Sequence, residues 1–375
     1  MRNPQTSDLD KFKLSSPMEP SDIIRAEITA LSAYQVQHSA GLIKLDAMEN
    51  PYSFPSSLQD ALLARLSTAS LNRYPSADAP ELKAAIRRAM NIPNELDILL
   101  GNGSDEIIQI IAMALAKPGA ALLSVEPAFV MFKMIAIFCG MKYVGVPLTA
   151  DFEIDVEAML AAIQRDQPVV TFIAYPNNPT GNLFSRDAIA RIISTCEKHH
   201  GLVVVDEAYF AFSSESLLHE VRHYPNVVLM RTVSKLGLAG ARLGVLIGDR
   251  RWLQEFNKLR LPYNINILTQ TAVTFAMEHY TALLDQARLI TDERARLAAA
   301  LSAIPGIHVF PSQANFLLIR VADAARVFST FVSRKILVKN PSQSHALLSN
   351  TLRLTIGSPD ENDAMISALQ ATPGI

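Results

Sequence analysis

Leu202-Val203-Val204-Val205-Asp206-Glu207-Ala208-Tyr209 decides the fold. Four apolar residues, three of them β-branched, run without alternation and then stop at two carboxylates. A strand that is apolar at every position is covered on both faces, as in a parallel sheet flanked by helices. The same pattern recurs on either side, at Ala120-Val125, Val169-Ala174, Val227-Met230 and Gly244-Ile247, each run lying between helix-like stretches. Strands alternating with helices predict an α/β fold with a mostly parallel central sheet. Upstream, Leu58, Leu62, Leu63 and Leu66, then Leu82, Ile86 and Met90, recur at helical spacing. Downstream, a helical region from Ile267 to Ala303 stops at Pro305-Gly306. Strands near Asn315-Arg320, Ile336-Lys339 and Leu352-Ile356 and a helix from Asp360 then make a smaller α+β unit. The expected division is a mobile tail over 1–24, a large domain over 63–270, and a small domain from 25–62 and 271–375.

Composition narrows the function. Of 375 residues, 49% are hydrophobic and 19% charged, and 34 Lys plus Arg nearly balance 36 Asp plus Glu. Such a chain has no compositional reason to stay unfolded. Its near-neutral balance argues against a nucleic-acid or anionic-membrane binder driven by overall charge. Cys139 and Cys196 are the only cysteines, which leaves neither a disulfide framework nor a Cys-rich metal site. Twelve Met against two Cys suits a reducing compartment. Residues 1–20 lack the apolar core of a secretory signal. The most apolar stretch, Ala120 to Val146, is broken by Glu126, Pro127, Lys133 and Lys142, which argues against a membrane span. The expectation is a soluble, cytoplasmic globular protein.

In open parallel sheets, ligands gather at the carboxyl ends of the strands. Tyr175-Pro176-Asn177-Asn178-Pro179-Thr180-Gly181 follows one run, Asp206-Glu207-Ala208-Tyr209 another, and Arg231-Thr232-Val233-Ser234-Lys235 a third, with Arg242 seven residues on. Ile98-Leu100 leads into Gly101-Asn102-Gly103-Ser104-Asp105-Glu106, which opens the apolar helix from Ile107 to Ala116. Each motif has a plain alternative: Asn177-Asn178-Pro179 is a turn signal, Asp206 a helix cap, Lys235 and Arg242 solvated cations. Their meeting on one rim is harder to explain that way. Together they suit pyridoxal phosphate, whose aldehyde takes a lysine amine as a Schiff base and whose ring nitrogen takes a carboxylate. Its phosphate takes a helix N-terminus, hydroxyls and a guanidinium. Asp105 and Glu106 would repel that phosphate unless their side chains turn away.

The string Ser234-Lys235-Leu236-Gly237-Leu238-Ala239-Gly240-Ala241-Arg242-Leu243-Gly244, with Asn178-Pro179-Thr180-Gly181 and Asp206-Glu207-Ala208-Tyr209, resembles the fold-type I pyridoxal-phosphate aminotransferases from about Leu45 to Gly357. The resemblance implies Lys235 as Schiff-base residue and proton shuttle, and Asp206 on the ring nitrogen. It implies Asn178 and Tyr209 on the phenolic oxygen. Ser234, Arg242 and the backbone at Gly103-Ser104-Asp105 would lie at the phosphate, and Phe129 would stack on the ring.

Within that family, Leu45-Asp46-Ala47-Met48-Glu49-Asn50-Pro51-Tyr52, Asn72-Arg73-Tyr74-Pro75, Gly101 to Glu106, Leu261-Pro262-Tyr263-Asn264 and Leu352-Arg353-Leu354-Thr355-Ile356-Gly357 are similar to the histidinol-phosphate aminotransferase branch. That likeness implies transamination between histidinol phosphate and 2-oxoglutarate, in histidine biosynthesis. It implies Arg353, Tyr52 and Asn178 at the substrate, and a homodimer in which Tyr74 reaches the neighbouring subunit's cofactor phosphate. The alternatives are an aromatic aminotransferase, a decarboxylase of phosphorylated amino acids, or a non-catalytic cofactor-binding regulator.

Three departures from the family pattern stand out. Phe129 replaces a tyrosine, so stacking survives and a hydroxyl is lost. Lys339 stands where the family has arginine and cannot form a bidentate fork. Ala47-Met48 occupies positions where more polar residues are common. His219-Glu220-Val221-Arg222-His223 fits a zinc-protease pattern, which needs a stable helix and a third ligand. It lies in a short segment ended by Tyr224-Pro225, and no metal is expected.

Overall fold

The computed structural model describes residues 18–33 and 37–372. Most of the tail expected at 1–24 lies outside the described residues. The chain divides into two compact units, before and after Ser39. The first contributes a 3-10 turn at Pro20–Asp22 and a one-turn helix at Ala26–Thr29.

In the second unit, β1 (Ile43–Leu45) pairs in parallel with residues Ile336–Val338. The central sheet is built from β2 (Asp97–Gly101), β3 (Ala121–Glu126), β4 (Lys142–Pro147), β5 (Val170–Ala174), β6 (Leu202–Asp206), β7 (Val227–Thr232) and β8 (Gly244–Gly248), in the order β2-β8-β7-β6-β5-β3-β4. The pairs within β4-β3-β5-β6-β7 are parallel, and β8 runs antiparallel to both of its neighbours. Strand composition does not carry that reversal, because a run buried on both faces reads alike in either direction. The reversal puts the start of β8 at the rim where β5, β6 and β7 end, which is how Arg242, just ahead of β8, comes to share that rim. Every residue of β5, β6, β7 and β8 is buried.

A further sheet holds β9 (His308–Val309), β10 (Phe316–Arg320) and β12 (Thr351–Thr355), all antiparallel, and β11 (Ile336–Val338) is the partner of β1. The helical region expected at Ile267 to Ala303 is two helices, Ile267–Glu278 and Tyr280–Ser302, divided at His279. Ala120 to Val146 resolves into β3, the helix Val130–Phe138 and β4. Among the described residues, no helix is long and apolar enough to cross a membrane.

Candidate functional site

The chemistry converges on a cleft at the carboxyl rim of the central sheet. Its walls include Ser104, Asp105, Phe129, Asn178, Asp206, Tyr209, Ser234, Lys235 and Arg242, together with Met48, Ala174, Ala208 and Thr232.

Lys235 sits in a 3-10 turn, Ser234–Leu236, immediately beyond β7. Its Nζ donates to the Ala47 carbonyl at 3.0 Å. The protein pushes this amine down to about 8: burial is the first cause, and the guanidinium groups of Arg353 and Arg242 add to it against Glu49 and Asp105. Asp206, the last residue of β6, is 5% exposed. Burial raises its carboxyl to about 7, helped by Asp105 and Glu207 and opposed by the Ala208 N–H and by Lys235. That N–H donates to Oδ1 at 3.0 Å. A cationic partner at the remaining oxygen would restore the carboxylate.

Asn178 donates through Nδ2 to the Tyr209 hydroxyl at 3.1 Å, and both side chains are buried. Its Oδ1 accepts from Arg353 Nη1 at 2.7 Å, so one amide faces both groups. Arg353 is itself 8% exposed. Its second nitrogen, Nη2, donates to the Asp46 carbonyl at 2.7 Å, and its guanidinium lies 5.4 Å from the centre of the Phe316 ring.

At the other end of the cleft, Gly103 takes φ +83° ahead of the helix Ser104–Leu115. A Cβ at Gly244 would stand 2.7 Å from the Gly103 carbonyl carbon and oxygen, so only glycine lets these two backbones meet. Thr232 Oγ1 bonds Ser234 Oγ at 2.9 Å, placing two hydroxyls together. Arg242 pairs with Asp105 at 3.6 Å.

The conflict expected from Asp105 and Glu106 resolves differently for each. Glu106 turns back, accepting from the Asn102 N–H and from Asn264 Nδ2. Asp105 stays on the cleft wall with a buried Oδ1 that has no hydrogen-bond partner, and burial raises its carboxyl.

Phe129, at the N-cap of Val130–Phe138, lines the cleft and meets Phe132 edge-on at 5.7 Å. Lys339 and Arg353 exchange backbone hydrogen bonds at 3.1 and 2.9 Å. Directly opposed residues of an antiparallel pair share a face, which puts the two cations on one side.

Four expected residues are not among the cleft walls: Gly103 and Arg353 adjoin them through Ser104 and Asn178, and Tyr74 and Tyr52 have other partners. Tyr74 is 81% exposed and stacks on Tyr263 at 4.5 Å. Tyr52 is part-buried against an apolar cluster that contains Tyr209, and its N–H donates to Asn50 Oδ1. The zinc-protease pattern forms only a 3-10 turn at Val221–His223, and Glu220 is held by Arg186 at 2.7 Å. Among the described residues no group of three His, Cys, Asp or Glu is arranged to hold a metal ion.

The motifs do not disclose the carbonyls of Asp46 and Ala47, which hold Arg353 and Lys235, because main-chain acceptors leave no side-chain signal. Nor do they disclose the Glu207–Arg231 pair beneath the rim, whose Oε2 accepts from Nη2 at 2.9 Å with both residues buried. The only trace of it is two charged residues placed next to apolar strand ends.

The donor set suits pyridoxal phosphate. The cleft offers a lysine amine and a buried carboxylate with an open oxygen. It also offers an amide–phenol pair, two hydroxyls, a guanidinium and a helix N-terminus.

The family described as aminotransferase class I and II matches residues 40–369. A histidinol-phosphate aminotransferase of Chromobacterium violaceum is 52% identical over 348 residues, covering 93% of this chain and 97% of its own length. Histidinol-phosphate aminotransferase 1 of Burkholderia lata is 50% identical over 356 residues, 95% and 99% of the two chains. Among solved structures, the histidinol-phosphate aminotransferase of Sinorhizobium meliloti in complex with pyridoxal-5'-phosphate aligns with a TM-score of 0.82. It is 23% identical and covers 92% of this chain and 96% of its own, a match that speaks for the fold.

Proposed function

This chain belongs to the class I and II aminotransferases, and on that premise we propose that it moves the amino group of histidinol phosphate to 2-oxoglutarate with pyridoxal 5'-phosphate as cofactor. Its α/β fold is the fold-type I arrangement. The observation that carries the reading is Asn178, whose one amide joins the Tyr209 phenol to the Arg353 guanidinium in a cleft that also holds Lys235 and Asp206. Relatives about half identical over nearly their whole length, all named histidinol-phosphate aminotransferases, support it.

The bound cofactor supplies an electron sink that weakens the C–H bond next to the substrate nitrogen. Lys235 would hold its aldehyde, and Lys235 Nζ would move the proton at the substrate carbon next to the amine. An amine pushed down to about 8 is partly neutral near neutral pH and can accept that proton. Asp206 would stay ionised against the ring nitrogen, and Asn178 and Tyr209 would hold the phenolic oxygen. Ser104, Ser234 and Arg242, with the backbone at Gly103 and Asp105, would hold the phosphate, and Phe129 would cover the ring. Arg353, with Tyr52, takes the donor's phosphate in one half-reaction and the acceptor's carboxylate in the other.

The same reading makes the protein a cytoplasmic homodimer in which Tyr74 completes the partner's phosphate site. The exposure of the large side chains Leu71, Tyr74 and Leu261, 74%, 81% and 71%, supports this. Neither Cys139 nor Cys196 forms a disulfide among the described residues. The reading retains a cofactor domain over 63–270 and a small domain from 25–62 and 271–375.

Steady-state turnover of histidinol phosphate against phenylalanine and tyrosine, with 2-oxoglutarate as acceptor, tests the function. Preference for histidinol phosphate is expected. Turnover of the aromatic amino acids alone, or release of carbon dioxide without amino transfer, would overturn it.

A further inference from the structure

We propose that Met48 sets the amino-donor preference of the cleft, its thioether favouring donors that carry a planar ring over ringless dicarboxylic donors. This rests on the reading above only in taking the cleft to accept primary amines.

Met48 has φ +54°, in the left-handed region. Residues with a long side chain seldom occupy that region, and asparagine or glycine does so with less strain. A strained backbone persists where its surroundings over-determine it. Here the Met48 N–H donates to Thr355 Oγ1 at 3.0 Å, and its carbonyl accepts from Asn315 Nδ2 at 2.9 Å. Asn315 and Thr355 are buried. The two preceding carbonyls, of Asp46 and Ala47, accept from Arg353 and Lys235. Three consecutive carbonyls are therefore held, two of them by the cations of the site. The strap cannot relax at Met48 without disturbing both.

The side chain that this backbone carries is 7% exposed, lines the cleft beside Lys235, and belongs to the apolar cluster of Tyr209 and Phe316. Phe316 meets Tyr209 edge-on at 5.3 Å and lies under Arg353. Apolar wall and guanidinium are thus adjacent. A donor with an anionic end and a flat ring matches both surfaces, and sulfur packs favourably on ring edges. A donor with a second carboxylate in place of the ring sets a charge against the apolar wall, a cost that 2-oxoglutarate shares and that lowers binding relative to a ring without preventing it. A small polar residue at position 48 would fit the backbone better, so the methionine is explained by what its side chain meets.

The test uses cofactor-loaded wild type, Met48→Asn, Met48→Gln and Met48→Leu. The amino half-reaction is followed by absorbance with histidinol phosphate, phenylalanine and glutamate. In the polar variants the ratio of kcat/KM for ring-bearing donors to that for glutamate should fall about five-fold, the size of one sulfur–ring contact, and chiefly through KM. Met48→Leu, which keeps the apolar wall and loses the sulfur, should show a fall as well. Should Met48→Asn not fold, Met48→Gln carries the comparison. An unchanged ratio in a folded polar variant, or in Met48→Leu, overturns the proposal. A wild type that accepts phenylalanine and glutamate but not histidinol phosphate would overturn the donor assignment above and leave this comparison intact.

Discussion

Arg353 Nη1 donates to Asn178 Oδ1 across 2.7 Å, although 175 positions separate the two residues in the chain. Arg353 lies on β12 and Asn178 just beyond β5, so this bond joins the three-stranded sheet to the rim of the central one. Replacing Arg353 by lysine keeps the charge and removes the fork that reaches Asn178 and the Asp46 carbonyl together. KM for histidinol phosphate should rise at least about tenfold, the scale of one hydrogen bond to a charged group. Steady-state kinetics decide it, and an unchanged KM would separate Arg353 from substrate binding.

The carboxyl of Asp206 is pushed up to about 7, against 3.8 for an ordinary aspartate. The cofactor-free folded protein therefore binds more protons than the unfolded chain between those values. The stability this group contributes is full below the lower value and lost as pH rises through the upper one, at up to about 1 kcal/mol per pH unit. Asp206→Asn should flatten the dependence of the urea midpoint on pH between roughly 4 and 7. Lys235 acts in the opposite sense: lowered from 10.5 to about 8, it adds stability as pH climbs through that window. Midpoints indifferent to the Asp206 substitution would contradict the first assignment.

Beneath the rim, Arg231 donates to Glu207 from Nε and Nη2 at 3.0 and 2.9 Å, and its guanidinium lies 4.2 Å from the Phe210 ring centre. Removing one partner leaves a buried charge without compensation. Arg231→Met should lower the unfolding free energy by about 3–5 kcal/mol. Denaturant titration measures this, and a loss below about 1 kcal/mol would mean that Glu207 finds water or a proton instead.

Much of this site was legible because the cofactor's needs fall on short, local motifs. Lys235, Asp206, Asn178 and Arg242 each follow or precede an apolar run, and strand ends can be counted from composition. Long-range geometry was not legible. Nothing near Arg353 announces Asn178, and nothing in Gly244-Val245-Leu246-Ile247 announces that this strand runs against its neighbours. Ala120 to Val146 hid two elements after β3, since a stretch apolar apart from a few scattered breaks shows neither a helical nor a strand period. The cause of the depressed Lys235 amine was only partly legible. Neighbouring cations contribute, but burial comes first, and burial belongs to the folded chain.

Gly244 makes the end of the cleft at Ser104 and Arg242 testable by itself. An added Cβ would lie 2.7 Å from the Gly103 carbonyl and 2.8 Å from the Ser104 nitrogen, both backbone atoms that cannot rotate aside. Gly244→Ala should weaken binding of pyridoxal phosphate at least about tenfold, roughly one charge-assisted hydrogen bond. Equilibrium titration of the cofactor-free protein, followed by fluorescence, reads the affinity. Wild-type affinity would show that the loop from Gly101 to Ser104 does not shape this end.

The most direct test of the whole account is a single half-reaction. Cofactor-loaded enzyme is mixed with histidinol phosphate, without an acceptor, and the absorption spectrum is followed beside that of Lys235→Ala. The account predicts that the wild-type band of the lysine-bound cofactor gives way to that of its amino form as the donor's ketone appears. Lys235→Ala should lack the lysine-linked band and should not complete the conversion. A wild-type spectrum unmoved by histidinol phosphate, or a Lys235→Ala protein that keeps both the band and the reaction, would contradict it.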